Sequence, residues 1–311
     1  MKYIVVGGAG FIGSNLTDLL IDEGHEVVVI DNVSTGSFDN IHPKALFVNT
    51  DIKKIGLGGP ALFKKQRASV LKNFEKCDGI FHLAALARVQ PSLEDPIEYN
   101  QVNVNGTLNI LNLAKRYNIK RVVYSASSSA YGNTDTYPTN EDCPVNPLSP
   151  YGLQKMIGEQ YCKLFSTCYG VDTVSLRYFN VFGPKQSIDG AYSLVMGIFA
   201  KQKISGEPLT ITGDGEQRRD FTFVKDVARA NLLAMEHKEN LNGEVFNIGN
   251  GDNRSINQIA EIFGGDKEYT PERLEPKQTL ADNSKAKKIL NWKPTVSVED
   301  WLPGWVKDLK Q

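Results

Sequence analysis

The chain has 311 residues, 41% of them hydrophobic and 23% charged, with 35 Lys and Arg against 36 Asp and Glu for a formal net charge of −1. At about 150 residues per domain, this length predicts two domains or one large α/β unit with a sizeable core. The charge balance excludes a polybasic nucleic-acid binder held by bulk phosphate attraction, so anion handling must be local. No apolar run reaches the roughly 18 residues that span a bilayer, and the start of the chain does not resemble a signal peptide. Cys77, Cys143, Cys162 and Cys168 lack C-x-x-C spacing, which predicts reduced thiols in a cytoplasmic protein.

Taken in chain order, β-branched runs at residues 3–6, 26–30, 79–82, 121–125 and 173–176 read as strands, with stretches of helix length between them. Leu16, Leu19, Leu20 and Glu23 recur at 3.6-residue spacing, as do Val104, Leu108 and Leu111. The alternation predicts an α/β fold, a Rossmann-type doubly wound parallel sheet covered on both faces, with ligands at the carboxyl ends of its strands. Residues 53–68 read as a surface loop leading to a helix. Beyond Asn180, Gly183-Pro184, Gly213-Asp214-Gly215, Gly249-Asn250-Gly251 and Gly264-Gly265 punctuate shorter elements, which predicts a smaller mixed α/β lobe. The expected division is residues 1–180 plus about 222–250 for the sheet unit, and about 181–221 and 251–311 for the lobe.

Gly7, Gly10 and Gly13 follow the first strand and open a helix, where a turn without Cβ atoms lets backbone N–H groups approach a pyrophosphate. Eighteen residues beyond Gly13, Asp31 ends the second strand, placed to accept from adenosine ribose hydroxyls and to repel a 2′-phosphate; this favours NAD over NADP. Tyr151 and Lys155 share one face of a helix, so the ammonium and a cationic nicotinamide are expected to lower the phenol's pKa. Ser127, in the hydroxyl-rich run after residues 121–125, can relay a substrate proton to Tyr151. His82 reads as a core residue, and His25, His42 and His237 show no metal-ligand spacing. Arg218, Arg219 and Arg273 read either as solvated charges or as a clamp for a diphosphate.

Gly7-x-x-Gly10-x-x-Gly13, Asp31-Asn32, Asp51-Ile52, His82-Leu83-Ala84-Ala85, Ser127, Tyr151-x-x-x-Lys155 and Arg177-Tyr178-Phe179-Asn180-Val181-Phe182-Gly183 together closely resemble the extended short-chain dehydrogenase/reductase family, across essentially the whole chain. Within it the resemblance is to the UDP-sugar 4-epimerase branch. The resemblance implies NAD as cofactor, held by Gly7, Gly10, Phe11, Ile12, Gly13, Asp31, Asn32, Ser34, Thr35, Gly36, Asp51, Ile52, Leu83, Ala84, Ala85, Asn103, Tyr151, Lys155 and Phe179. It implies a catalytic set of Ser127, Tyr151 and Lys155. It also implies a UDP-sugar site formed by Ser127, Ser128, Ser129, Tyr151, Asn180, Ser193, Leu194, Val195, Thr210, Thr212, Arg219, Arg273 and Thr279. A homodimer through the helices around residues 104–116 and 154–169 follows from the same resemblance, with no metal, nucleic acid or membrane among its partners.

Family dehydratases and decarboxylases carry acids just after the catalytic Ser/Thr, where this chain has Ser128 and Ser129; the resemblance therefore implies hydride removal and return alone. Glucuronate 4-epimerases carry Gly-Pro-Arg-Gln-Arg where this chain reads Gly183-Pro184-Lys185-Gln186-Ser187, which implies a neutral sugar. Epimerases restricted to non-acetylated sugars carry Tyr at the position of Thr279, so the resemblance is to UDP-N-acetylglucosamine 4-epimerases. Arg273-Leu274-Glu275-Pro276 departs from the family's Arg-x-Gly-Asp and leaves open which carboxylate holds the uridine ribose. Two other readings stay open: a nucleotide-sugar reductase or synthase on the same scaffold, and a non-catalytic dinucleotide sensor.

Overall fold

The computed structural model describes residues 1–56, 64–188, 194–272 and 275–309. In chain order the first unit comprises β1 (Lys2–Val6), α1 (Phe11–Asp22), β2 (Glu26–Asp31), β3 (Leu46–Asn49), α2 (Lys64–Lys72), β4 (Gly79–His82), α3 (Val89–Glu94), α4 (Pro96–Asn100), α5 (Thr107–Arg116), β5 (Arg121–Ser127), α6 (Pro150–Tyr169) and β6 (Asp172–Tyr178). There follow β7 (Val181–Phe182), α7 (Val195–Ser205), β8 (Leu209–Thr212), β9 (Arg218–Arg219), β10 (Thr222–Phe223), α8 (Val224–Glu236) and β11 (Glu244–Ile248). The chain closes with β12 (Arg254–Ser255), α9 (Ile256–Phe263), β13 (Lys267–Thr270), α10 (Ser284–Leu290) and α11 (Val298–Asp308).

Seven of these strands form one sheet in the order β11-β6-β5-β4-β1-β2-β3, parallel throughout. Strand order reverses between β1 and β4, where a doubly wound sheet opens a crevice at its carboxyl edge. Because side chains alternate along a strand, Tyr3 and Val5 join the core under α1, α8 and α10, whereas Ile4 and Val6 join the one under α2, α5 and α6. Each fully buried aliphatic contributes roughly 1.5–3 kcal/mol. The five expected strands are present, each at or within two residues of the expected bounds. β3 and β11 also join the sheet. β3 is a short edge strand with no buried residue, so its sequence carries no alternation to read.

The lobe has its own core, built from α7, β8, α9 and α11 around Phe199, Ile211 and Leu302. Ala286, Leu290 and Trp292 belong to the sheet's core, because α10 packs on α8 and β11 and the Trp292 indole donates to the Asp226 carbonyl at 2.8 Å. Residues 53–56 form turns that precede α2, with Lys53 paired to Glu98; the rest of that expected loop up to Lys64 lies outside the described residues. Among the described residues no helix is long and apolar enough to cross a membrane.

Candidate active site

One cleft of about 850 Å³ runs from the carboxyl edge of the sheet into the lobe. At its sheet end β1 delivers the chain into Gly7, whose φ of 88° is open to glycine and whose Cβ would lie 2.5 Å from the Ala84 amide nitrogen. A Cβ on Gly13 would lie 2.1 Å from the Gly7 carbonyl oxygen. Gly10 caps α1 without a side-chain hydrogen bond, and α1 has no acid in its first turn, so no carboxylate of the helix itself competes for its N–H groups and dipole. A dinucleotide pyrophosphate fits this cradle. Gly13→Ala is accordingly expected to weaken NAD retention about 10- to 100-fold, the range of an overpacked site. Nucleotide released on acid precipitation measures it, and retention at wild-type stoichiometry would refute the cradle.

Asp31 accepts from the Ala9 amide at 3.0 Å and the Val33 amide at 2.7 Å. It therefore braces the glycine turn, and its remaining lone pairs stay available for ribose hydroxyls. Burial pushes its carboxyl up, against those backbone hydrogen bonds. Phe11, Ile12, Asn32, Ser34, Thr35, Asp51, Ile52, Leu83, Ala84, Ala85 and Phe179 line the same cleft. Gly36 and Asn103 do not line it. Gly36 packs against the Ala9 carbonyl. Asn103, on a π-helical segment, holds the Leu86 backbone through both amide atoms and donates to Gln154.

In mid-cleft the sequence Ser149-Pro150 starts α6, with the Ser149 hydroxyl accepting from the Gly152 amide at 3.1 Å and proline at the first helical position. That start places Tyr151 in the first turn, on the same cleft wall as Ser127. The Ser127 Oγ accepts from the Ser129 amide at 3.2 Å. Burial pushes the Tyr151 phenol above its ordinary range, opposed by the Ser127 hydroxyl and then by the Arg88 charge. The Lys155 Nζ donates to the Ser125 carbonyl at 2.7 Å, and burial brings its pKa down to about 8. His82 is buried against Thr107 and pushed down to about 3, hence neutral in the core.

At the lobe end Ser128, Ser129, Asn180, Leu194, Val195, Thr210, Thr212, Arg219 and Thr279 line the cleft. The Thr279 hydroxyl accepts from the Asn180 side chain at 3.3 Å and from the Asp220 amide at 3.1 Å. Arg219 pairs with Glu275 at 2.8 Å, which puts a carboxylate of the departing Arg-Leu-Glu-Pro segment on the cleft wall. Ser193 and Arg273 lie outside the described residues. Arg88, Gln217, Glu275 and Gln278 are among the cleft-lining residues that sequence reasoning missed, since nothing in their local patterns distinguishes them from solvated polar residues.

This arrangement, a parallel sheet with a dinucleotide cradle opening onto a Ser/Tyr pair, defines an NAD-dependent dehydrogenase-like scaffold with a second ligand compartment. Residues 3–249 match the family model described as NAD dependent epimerase/dehydratase family, and the chain belongs to that family. It is 38% identical over 316 residues to a putative UDP-glucose 4-epimerase of Methanocaldococcus jannaschii, covering 98% of each chain. Among solved structures it resembles UDP-glucose 4-epimerase from Thermotoga maritima with UDP-glucose, at 38% identity and a TM-score of 0.90, covering 100% of this chain and 99% of that one. It also resembles UDP-N-acetylglucosamine 4-epimerase from Methanobrevibacter ruminantium in complex with UDP-N-acetylmuramic acid, at 37% identity and a TM-score of 0.88, with 98% and 97% covered.

Proposed function

We propose that this NAD-dependent UDP-sugar 4-epimerase interconverts UDP-N-acetylglucosamine and UDP-N-acetylgalactosamine, with UDP-glucose and UDP-galactose as further substrates, through a 4-keto intermediate. The observation that carries the reading is a single cleft joining the glycine cradle, the Ser127–Tyr151 pair and Thr279, with the hydroxyls of Ser128 and Ser129 where an elimination would need acids. Tyr151, as phenolate, takes the sugar 4-hydroxyl proton, directly or through Ser127. The cradle from Gly7 to Gly13, Asp31 and Lys155 would hold NAD, which when bound supplies a reversible hydride acceptor for C4. Inversion requires the keto ring to present its other face before Tyr151 returns the proton. Arg219 therefore holds the diphosphate firmly, while Ser128, Ser129 and Thr279 grip the hexose weakly enough for it to turn.

The short Thr279 side chain on the cleft wall supports room for a 2-acetamido group, as does the acetylated ligand of the Methanobrevibacter relative. Incubation with UDP-N-acetylglucosamine, and separately with UDP-glucose, is expected to yield the C4 epimers by NMR; inversion of neither would sink the proposal. Net consumption of added NADPH would favour a reductase instead. Thr279→Tyr is expected to lower turnover of the acetylated sugar at least about tenfold more than that of UDP-glucose, the order of one unfavourable pocket contact. Equal losses on both substrates would reject the gate. The exposed Leu153 and Leu164 on α6 and Ile97 on α4 support a homodimer, which a monomer in sizing chromatography would overturn. Four free thiols support a cytoplasmic location.

A further inference from the structure

Asp220, in the link between β9 and β10, is fully buried and follows directly on the cleft residue Arg219. Among the described residues, three backbone amides hydrogen-bond its carboxylate. Oδ1 accepts from Asn250 at 2.7 Å, and Oδ2 accepts from Gly251 and Ala281, each at 3.0 Å. Its own backbone extends the junction. The Asp220 amide donates to the Thr279 hydroxyl at 3.1 Å, and its carbonyl accepts from the Asn180 side chain at 3.3 Å. Asn180 also donates to that Thr279 hydroxyl at 3.3 Å. One residue thus joins four places in the chain: the exit of β6, the β9–β10 link, the turn after β11 and the segment that carries Thr279. Asn180, Arg219 and Thr279, the residues it holds or adjoins, all line the cleft.

The turn after β11 closes tightly on this acid. Gly251 has φ of 77°, and a Cβ on Gly249 would lie 2.3 Å from the Ala281 Cβ and 3.0 Å from the Asp220 Oδ2. Burying a carboxylate is costly even with amide partners, so Asp220 is a poor device for stability and a good one for fixing chain segments against each other. We propose that Asp220 is a positioning residue for the UDP-sugar compartment, setting Arg219 against the diphosphate and Asn180 and Thr279 against the sugar, so that nucleotide affinity depends on an acid outside the cleft. The proposal rests on the reading of Arg219 and Thr279 as walls of that compartment.

Asp220→Asn keeps the side-chain shape but replaces one carboxylate oxygen by a donor, which then faces an amide hydrogen. In the NAD-loaded enzyme it is expected to raise the Kd of UDP, measured by calorimetry, and the KM of the UDP-sugar about tenfold, the order of one lost buried acceptor. kcat and NAD content should stay within about twofold of wild type, the pattern of lost binding rather than lost chemistry. Asp226→Asn is the matched control. Asp226 is 2% exposed and accepts from the Thr295 amide at 2.7 Å and hydroxyl at 2.6 Å, and it does not line the cleft. This control should lose stability with UDP affinity unchanged. Should Asp220→Asn fail to fold, Gly251→Ala strains the turn that donates to the carboxylate and is expected to raise the UDP Kd in the same direction. An unchanged Kd in Asp220→Asn, or in Gly251→Ala where the first does not fold, overturns the proposal, as does an equal loss in Asp226→Asn. If UDP affinity falls in Asp220→Asn while the wild type inverts no UDP-sugar, the epimerase reading fails and the Asp220 proposal stands. Wild-type protein that binds no UDP removes the compartment and the proposal together.

Discussion

Tyr151→Phe is expected to lower C4 inversion of a UDP-hexose on the order of 10³-fold or more while leaving NAD bound and the fold intact. In the proposed mechanism the phenol is the acid–base group, on the same cleft wall as Ser127, and Ser127 alone lacks the acidity to hold a sugar proton near neutral pH. Phenylalanine keeps the ring, so the packing of the first α6 turn against the serine run after β5 is retained. The measurement is epimer formation by NMR beside the amount of nucleotide released from the denatured protein. Turnover within about tenfold of wild type would mean that a different group moves the proton.

Arg121→Ala is expected to destabilise the protein by about 3–5 kcal/mol, the range for breaking a buried ion pair. Arg121 is 1% exposed at the start of β5, where its Nε donates to Asp172 at 2.5 Å. Its remaining donors go to the carbonyls of Ala234, Met235, His237 and Glu239, which are the unsatisfied end of α8 and the segment just after it. Alanine would leave a carboxylate and these carbonyls without their donor. Six residues along an extended strand put Arg121 about 20 Å from Ser127, so kcat measured on the folded fraction should be unchanged. A urea midpoint equivalent to less than about 1 kcal/mol of loss would show that solvent replaces the guanidinium.

Both residues stand in the same strand, yet only one of their roles was legible beforehand. Ser127, Tyr151 and Lys155 could be read because a strand end, a Ser-Pro helix start and a four-residue spacing are local features. The glycine cradle and Asp31 were legible for the same reason, as strand, turn, helix and strand follow one another without interruption. Arg121 looked like any strand residue. Its partners lie 51 to 118 positions away, and no spacing rule encodes that distance.

Local periodicity and contiguous motifs by themselves determined the parallel α/β unit, and they put the glycine turn after the first strand, Ser127 at a strand end and Tyr151 and Lys155 on one helix, because each of these depends on neighbours within one or two elements. Tertiary structure alone decided the rest. It placed β11 at the edge of the sheet, returned Trp292 from the tail to the sheet's core, set Glu275 against Arg219, and pointed Lys155 at the Ser125 carbonyl. Bringing Ser92 of α3 to the first turn of α6, where its hydroxyl accepts from the Tyr151 amide, needed the two helices to pack together. Such contacts depend on the free energy of burying distant segments together, and that term has no signature in the order of residues along the chain.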